Sequence, residues 1–246
     1  MKIDIIAFSF ILVLLPVFFL YKEGIDLSKE ILFNSIRALL QLSALGFMLG
    51  FLFDIKNYLY YIPVLAFMFI YGAYIAKKRV GFLFIYSFLT IFLSSSFILF
   101  TLVYLKVISL KPQEFIPISG MIVGNALNAY TLTIDRLKRE IQTQTDLVEA
   151  LVAVGASLKE AYKVFTYQAI KASMIPINNT LQTIGVVAIP GITTGMLLAG
   201  ADPLTAVSYQ IVIVYMLVSV NLFTSLLGSN FYISYKSKTL YHAFNP

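Results

Sequence analysis

Long, unbroken apolar runs constrain this chain more than any other feature. Seven can be drawn, at Ile3–Tyr21, Ile31–Phe53, Tyr58–Ala76, Phe82–Leu105, Phe115–Ile134, Pro176–Gly200 and Leu204–Tyr232. A helix needs about 20 apolar residues to cross a hydrocarbon core of about 30 Å, and each run is near that length. The runs are continuous and do not alternate, which predicts helices and argues against a transmembrane barrel. Composition agrees: 59% of residues are hydrophobic and only 12% charged, against about 25% charged in ordinary soluble domains. The expected fold is an all-α polytopic membrane bundle of seven transmembrane helices. It forms one transmembrane domain over residues 1–246 and leaves no room for a second soluble one. The first run lacks a small-x-small cleavage site and is followed directly by Lys22 and Glu23, so it reads as a retained span.

Basic residues orient the bundle. The connections between runs 1–2, 3–4 and 5–6, with the C-terminus, hold Lys22, Lys29, Lys77, Lys78, Arg79, Arg136, Lys138, Arg139, Lys159, Lys163, Lys171, Lys236 and Lys238. The opposite side holds only Lys2, Lys56, Lys106 and Lys111. By the positive-inside rule the N-terminus is outside, and the C-terminus and long 5–6 connection are in the cytosol. This bias accounts for the net charge of +6 without invoking nucleic acid. Tyr58, Tyr60, Tyr61, Tyr71, Tyr74, Tyr232 and Tyr235 cluster at span ends, where an interfacial belt is expected.

Enzymatic chemistry finds little to work with. There is no cysteine, and the single histidine, His242, stands five residues from the end. No metalloprotease, nucleophile-elbow or phosphate-loop motif occurs. Asp202, followed by Pro203, reads as a helix start.

Three glycine pairs at i, i+4 fall within spans: Gly46 and Gly50, Gly120 and Gly124, Gly191 and Gly195. Helices in lipid associate by close backbone approach, so these pairs predict spans 2, 5 and 6 as the packed centre. Pro190-Gly191 predicts a local unwinding in span 6, because broken helices in membranes are buried or line cavities. Polar residues collect on the same helices. Asn34, Arg37 and Gln41 share one face of span 2; Asn125 and Asn128 flank Gly124; Asn178, Asn179 and Gln182 open span 6; Gln210 lies in span 7, as does Asn221. Two readings stay open for the amides, interhelical hydrogen bonding and a polar translocation path. Two also stay open for Arg37, a snorkelling anchor and a path residue.

The longest polar interval runs from Asp135 to Pro176. Within it Asp146 precedes Glu149, and Ser157 precedes Glu160, at capping-box spacing. Gly155 between them suits a left-handed C′ position. A short helix over Leu147–Val154 is expected, then a longer one from Leu158. Leu147, Leu151 and Val154 should share an apolar face, giving a docking element in the cytosol or a helix lying on the bilayer.

The phrase EALVAVG fits the E-A-x-x-x-x-G pattern of coupling segments in ABC-transporter permeases. SIRALLQLSALG, EFIPISGMIVGNALNA, EALVAVGASLKEA and VVAIPGITTGMLLAGADPLTAVSYQIVIVYM resemble, in order and spacing over about residues 31–235, the FetB/YbbM-type permeases. That family includes bacterial iron exporters and plant aluminium-tolerance half-transporters. The resemblance implies a plasma-membrane, multi-pass permease subunit with no cofactor of its own. It would act as a dimer with a separate ATPase that carries ATP-Mg. Asp146, Leu147, Glu149, Ala150, Leu151, Val154, Gly155 and Ser157 would form the ATPase-coupling segment. The implied cargo is a metal such as iron. Ile192 and Thr193 follow Pro190-Gly191 where family members carry methionines, so soft sulfur ligands are missing there, and the metal ligands are not identified. The rival from another class is an ATP-independent secondary transporter or channel.

Overall fold

The computed structural model describes residues 8–53, 59 and 61–244. Among these, regular structure is helical apart from one isolated bridge between Ile184 and Ala188. The helices form two compact units. The first holds α1 (Ile11–Lys22) and α2 (Leu27–Phe53). The second holds α3 (Tyr61–Val80), α4 (Phe84–Tyr104), α5 (Pro112–Thr143), α6 (Thr145–Ala153), α7 (Leu158–Lys163), α8 (Thr166–Thr183), α9 (Gly191–Leu198) and α10 (Pro203–Phe244).

Three described helices carry stretches long and apolar enough to cross a membrane: Leu27–Met48, Phe84–Tyr104 and Pro203–Lys238. The expected sixth span, Pro176–Gly200, is not one helix. α8 begins ten residues earlier, runs through Pro176 and stops at Thr183, and α9 resumes at Gly191. Span 5 is the N-terminal part of a 32-residue helix that also takes in Asp135–Thr143. The polar interval therefore starts as a continuation of the helix that holds the fifth apolar run.

Side-chain contacts give the helix directions in the second unit. Down α5 and α10, Glu114 meets Tyr209 and Thr133 meets Ser225, so these two run parallel. Tyr61 stacks on Phe115, and Lys138 Nζ reaches the Val80 carbonyl, so α3 also runs parallel to α5. Phe97 packs on Phe223 while Tyr86 packs on Phe231, so α4 is antiparallel to α10. Ser173 pairs with Ser225, and Thr193 with Gln210, so α8 and α9 climb against α10.

The interior mixes apolar and small hydroxyl side chains: on α4 the buried face carries Ser87, Thr90, Ser94 and Ser95 with Ile91, Ile98, Leu99 and Leu102, while Phe97 and Phe100 are exposed. Such a face suits lipid, and large apolar exposure of this kind is rare on soluble monomers. Lipid gives apolar side chains no reason to leave it, so hydroxyl pairs and close contact hold the helices together. Thr224 donates to Ser94 at 2.8 Å, Thr133 donates to Ser225 at 2.9 Å, and Ser225 and Ser173 lie 2.8 Å apart. One small hydroxyl thus joins α5, α8 and α10. Above it Tyr130 is fully buried, with Ser87 donating to its oxygen at 3.1 Å. Gly228 lets α10 approach that ring: a methyl group there would stand 3.0 Å from Tyr130 Cδ2 and 3.5 Å from Thr90 Cγ2.

The predicted glycine pairs do less within the chain. A side chain added at Gly46, Gly50, Gly124, Gly191 or Gly195 would meet nothing within 4 Å, and only Gly120 faces a neighbour, Met68 Cε at 3.7 Å. The tight sites are Gly72, 3.2 Å from Val123 Cγ1, and Gly228. Two belt tyrosines are also interior. Tyr61 is buried on Phe115, and Tyr232 is buried against Phe82, because facing rings offered a better site than the interface. Tyr74 stays exposed; Tyr58 and Tyr60 lie outside the described residues.

Gly228→Ala should cost about 1–3 kcal/mol by overpacking, seen as a lower unfolding temperature in detergent. Ser225→Ala breaks two interhelical hydroxyl contacts and should cost about 1–2 kcal/mol. An unchanged midpoint in both variants would remove the seam as the source of stability.

Candidate functional site at the basic end of the bundle

Helices α5 and α10 contain 32 and 42 residues, or about 48 and 63 Å at 1.5 Å per residue. Both exceed a hydrocarbon core of about 30 Å. The polar C-terminal part of α5 carries Arg136, Lys138 and Arg139, and Lys77, Lys78 and Arg79 close the neighbouring α3. Ion pairs Arg136–Glu140 (2.5 Å) and Arg139–Asp135 (3.0 Å) stitch this turn of α5 along its own surface. The reach of Lys138 to Val80 ties α5 to α3.

The helix-turn-helix sits on this platform. α5 ends where Gln144 leaves helical geometry (φ −124°, ψ 42°), and α6 starts at the next residue. Asp146 therefore lies in the first turn of α6, where its charge favours the helix dipole, and it is not the N-cap. The proposed box with Glu149 is absent because the chain had already begun the helix at Thr145. At the other end Gly155 has φ +99°. Its amide donates to the Val152 carbonyl at 2.9 Å, and the Ala156 amide donates to Leu151 at 3.0 Å. This is a Schellman stop, which requires the left-handed residue. The second box is complete. Ser157 Oγ accepts from the Glu160 amide at 3.3 Å, and the Ser157 amide donates to the Glu160 carboxylate at 2.9 Å. The hydroxyl and amide of Ser157 hold that carboxyl below its ordinary range.

The two helices are held differently. α7 lies against α10 and buries Ala161 and Tyr162, with Phe165 buried just beyond. α6 buries only Val148. Leu147 and Val154, expected to share an apolar face with Leu151, are exposed, Val154 at 82%; Leu151 is half-buried. Asp146, Glu149, Ala150 and Ser157 are exposed as well. The result is a short helix presenting carboxylates and apolar side chains outward, joined by a rigid turn to a helix anchored on the bundle. A break at Val164–Phe165 separates α7 from α8.

The proposed path residues are spread more widely. Asn34, Arg37 and Gln41 are on α2 in the first unit, with Arg37 half-buried and the two amides exposed. Asn125 is half-buried and donates to its own helix at Met121, 2.9 Å away. Asn128, Asn178, Asn179 and Gln182 are exposed. Gln210 is buried and accepts from Thr193 Oγ1 at 3.2 Å; Asn221 is buried too. Pro190 is extended (φ −63°, ψ 151°) and immediately precedes α9, at the end of a non-helical stretch from Ile184. Among the described residues no three His, Cys, Asp or Glu side chains come together to hold a metal.

Sequence reasoning passed over two features. The serine and threonine seam was visible as the spacing 87, 90, 94 in one run and 224, 225, 229 in another. Glu114, at the far end of α5, accepts from the Ser109 amide at 3.1 Å, from the Ser109 hydroxyl, and from Tyr209 at 3.1 Å. Burial works to raise its pKa, but these donors with Lys111 outweigh it and hold the carboxyl below its ordinary value.

A helical bundle with apolar spanning stretches, an apolar outer face and a polar helix-turn-helix at its basic end defines a helical, multi-pass membrane protein. Over residues 3–237 it matches the family described as an uncharacterised protein family, UPF0014, and the chain belongs to that family. It is 34% identical to "Protein ALUMINUM SENSITIVE 3" of Arabidopsis thaliana over 216 residues, 86% of this chain and 79% of that protein. It is 30% identical to "Probable iron export permease protein FetB" of Escherichia coli K12 over 234 residues, 94% of this chain and 90% of that protein. To "UPF0014 membrane protein STAR2" of Oryza sativa it is 30% identical over 212 residues, 85% and 74% of the two chains. No solved structure matches it.

The Glu160 carboxyl titrates below its unfolded value, so the box it closes is at full strength above the ordinary glutamate pKa of about 4.3. It weakens as pH falls through the lowered folded value. The protection of the Ser157 amide, its exchange rate relative to the intrinsic rate at the same pH, should fall in that acid window and stay constant above it, and Glu160→Gln should abolish the dependence. Gly155→Ala should cost about 1–2 kcal/mol from the left-handed backbone, measured as faster exchange across α6.

Proposed function

We propose that this chain is the membrane permease subunit of an ATP-driven transporter, paired with a cytosolic ATPase subunit and a second copy of itself. The observation that carries this reading is the outward-facing α6 on its rigid Gly155 turn, in a chain similar over nearly its whole length to a protein named as an iron export permease. The basic end is assigned to the cytosol, where positive charge collects. ATP is bound and hydrolysed on the partner, and the permease has no enzymatic activity or cofactor of its own.

The coupling follows from the packing. An ATPase that grips Leu147, Val154 and the carboxylates of Asp146 and Glu149 pulls on a helix with little attachment of its own. The Schellman stop and capping box transmit the pull with little slack to α7, which rests on α10, and through Phe165 to α8. α10 and α8 share the Ser225–Ser173 contact, so displacement at the handle reaches the broken span and its polar residues. Two arrangements of those helices then alternate access to the path. The cargo assigned is a metal ion, with iron export the leading case, or a metal-linked solute. If Arg37 lines the path, a chelated or anionic species is favoured over a bare cation.

Co-expression with a candidate ATPase subunit should yield a complex whose hydrolysis rises with iron or another transported metal in proteoliposomes. Val154→Asp or Gly155→Pro should lower transport at least tenfold while leaving expression and assembly intact. Transport by the purified chain alone, without ATP, would instead establish a secondary transporter.

A further inference from the structure

From Leu158 to Thr183 the residue pattern is that of one helix, yet the fold makes two. The buried residues Tyr162, Phe165, Ala169, Ser173 and Ile177 recur every three or four positions, a single stripe that keeps its phase from α7 into α8. No glycine or proline stands between Leu158 and Ile175. α7 starts at the complete box of Ser157 and Glu160, whereas α8 starts after Phe165 with no side-chain cap. The break therefore has no local cause. Both helices and the elements they pack on, α5 and α10, lie within the second unit.

The backbone at the break has barely left helical geometry. Val164 has φ −55° and ψ −34°, and Phe165 has φ −83° and ψ −12°, within about 30° of α-helical values. The hydrogen bonding is what differs. The Phe165 amide donates to the Tyr162 carbonyl at 3.2 Å, a 3₁₀ contact three residues back. An unbroken helix would give that carbonyl to the Thr166 amide. Among the described residues no backbone hydrogen bond joins α7 directly to α8. A 3₁₀ turn inside a helical run marks a hinge or a sequence under strain.

Thr166 is short of a partner. Its hydroxyl oxygen is buried and has no hydrogen-bond partner among the described residues, a state that costs free energy. The other two threonines of α8 show what it lacks. Thr180 and Thr183 donate to carbonyls four residues back, Pro176 at 3.1 Å and Asn179 at 2.9 Å. Four residues behind Thr166 is Tyr162, on the far side of the break.

We propose that the α7–α8 junction is a closable hinge: residues 163–166 wind into one continuous helix from Leu158 to Thr183, and the Thr166 amide and hydroxyl donate to the Tyr162 carbonyl in place of Phe165. The Phe165 amide then donates to Ala161 and the Tyr167 amide to Lys163, so α-helical bonds replace the single 3₁₀ bond. The Gly155 stop and the Ser157 box lie on the α7 side, so α6 and α7 turn together relative to α8 when the hinge closes. The hinge is a property of this chain alone. It stands or falls in detergent without ATP, metal or a partner, whatever becomes of the transport reading.

The chain has no cysteine, so a reactive pair can be placed across the junction. Val164→Cys/Gln168→Cys, joined by a bifunctional thiol reagent that spans one helical turn of about 5.4 Å, holds the hinge closed. Amide protection at Thr166 and Tyr167 should then rise at least tenfold over the unjoined protein, with the unfolding temperature unchanged or higher. No gain in protection, a lower unfolding temperature, or thiols that react singly but cannot be joined would each overturn the hinge, since the bundle then accepts only the broken form. Thr166→Val keeps the shape of the side chain and removes the hydroxyl. It should leave the unfolding temperature of the unjoined protein unchanged or raise it, and lower that of the joined protein. A hydroxyl that only fills space would shift both alike, which also overturns the proposal.

Discussion

A bundle in lipid cannot be held together by burying oil, since its surroundings are already oil. The structure depends on what replaces that force, the close approach of α4, α5, α8 and α10 around Tyr130, Gly228 and a row of small hydroxyls. Ser225 is the junction, touching Thr133 and Ser173 at once. Each such contact is worth only about 1 kcal/mol, but together they place the helix axes within reach of one another. Some large aromatic side chains, such as Phe97 and Phe100 of α4, are then left on the outside. The long parallel helices α5 and α10 owe their alignment to this seam, and their overhang beyond the hydrocarbon is what builds the platform for α6 and α7.

From that platform the arrangement of functional parts follows. α6 has one buried side chain and a turn that cannot bend freely. α7 is anchored through Ala161 and Tyr162. Gly155 and the Ser157–Glu160 box join the two through a defined turn and cap in place of a flexible loop. At the opposite end Glu114 binds Ser109 and Tyr209 and so clamps the starts of α5 and α10. The two helices are thus tied at one end, and the helix-turn-helix lies at the other.

The broken span is the weak point of the same design. Residues 184–190 leave the carbonyls of Ile184, Gly185, Val186, Val187 and Ile189 without a partner among the described residues, beside the exposed Val186 and Val187.

The sequence by itself determined whatever depends on neighbours along the chain. The apolar runs announced membrane helices, Gly155 announced a left-handed stop, Ser157 and Glu160 announced their cap, and Asp202 with Pro203 announced the start of α10, where Asp202 accepts from the Thr205 amide at 3.1 Å. These are contacts three or four residues apart, so spacing encodes them. Tertiary structure decided the rest. Asp146 lost its cap because α6 starts at once after α5 ends. Tyr61 and Tyr232 left the interface because Phe115 and Phe82 were opposite them. Gly228 became indispensable, and Gly191 and Gly195 were left bare, only because of what did or did not face them. The serines of α4 look like any polar spacing until α10 is laid alongside. A residue's type limits the bonds it can make, but the partner is chosen by helices that meet from distant parts of the chain, and no local spacing records that choice.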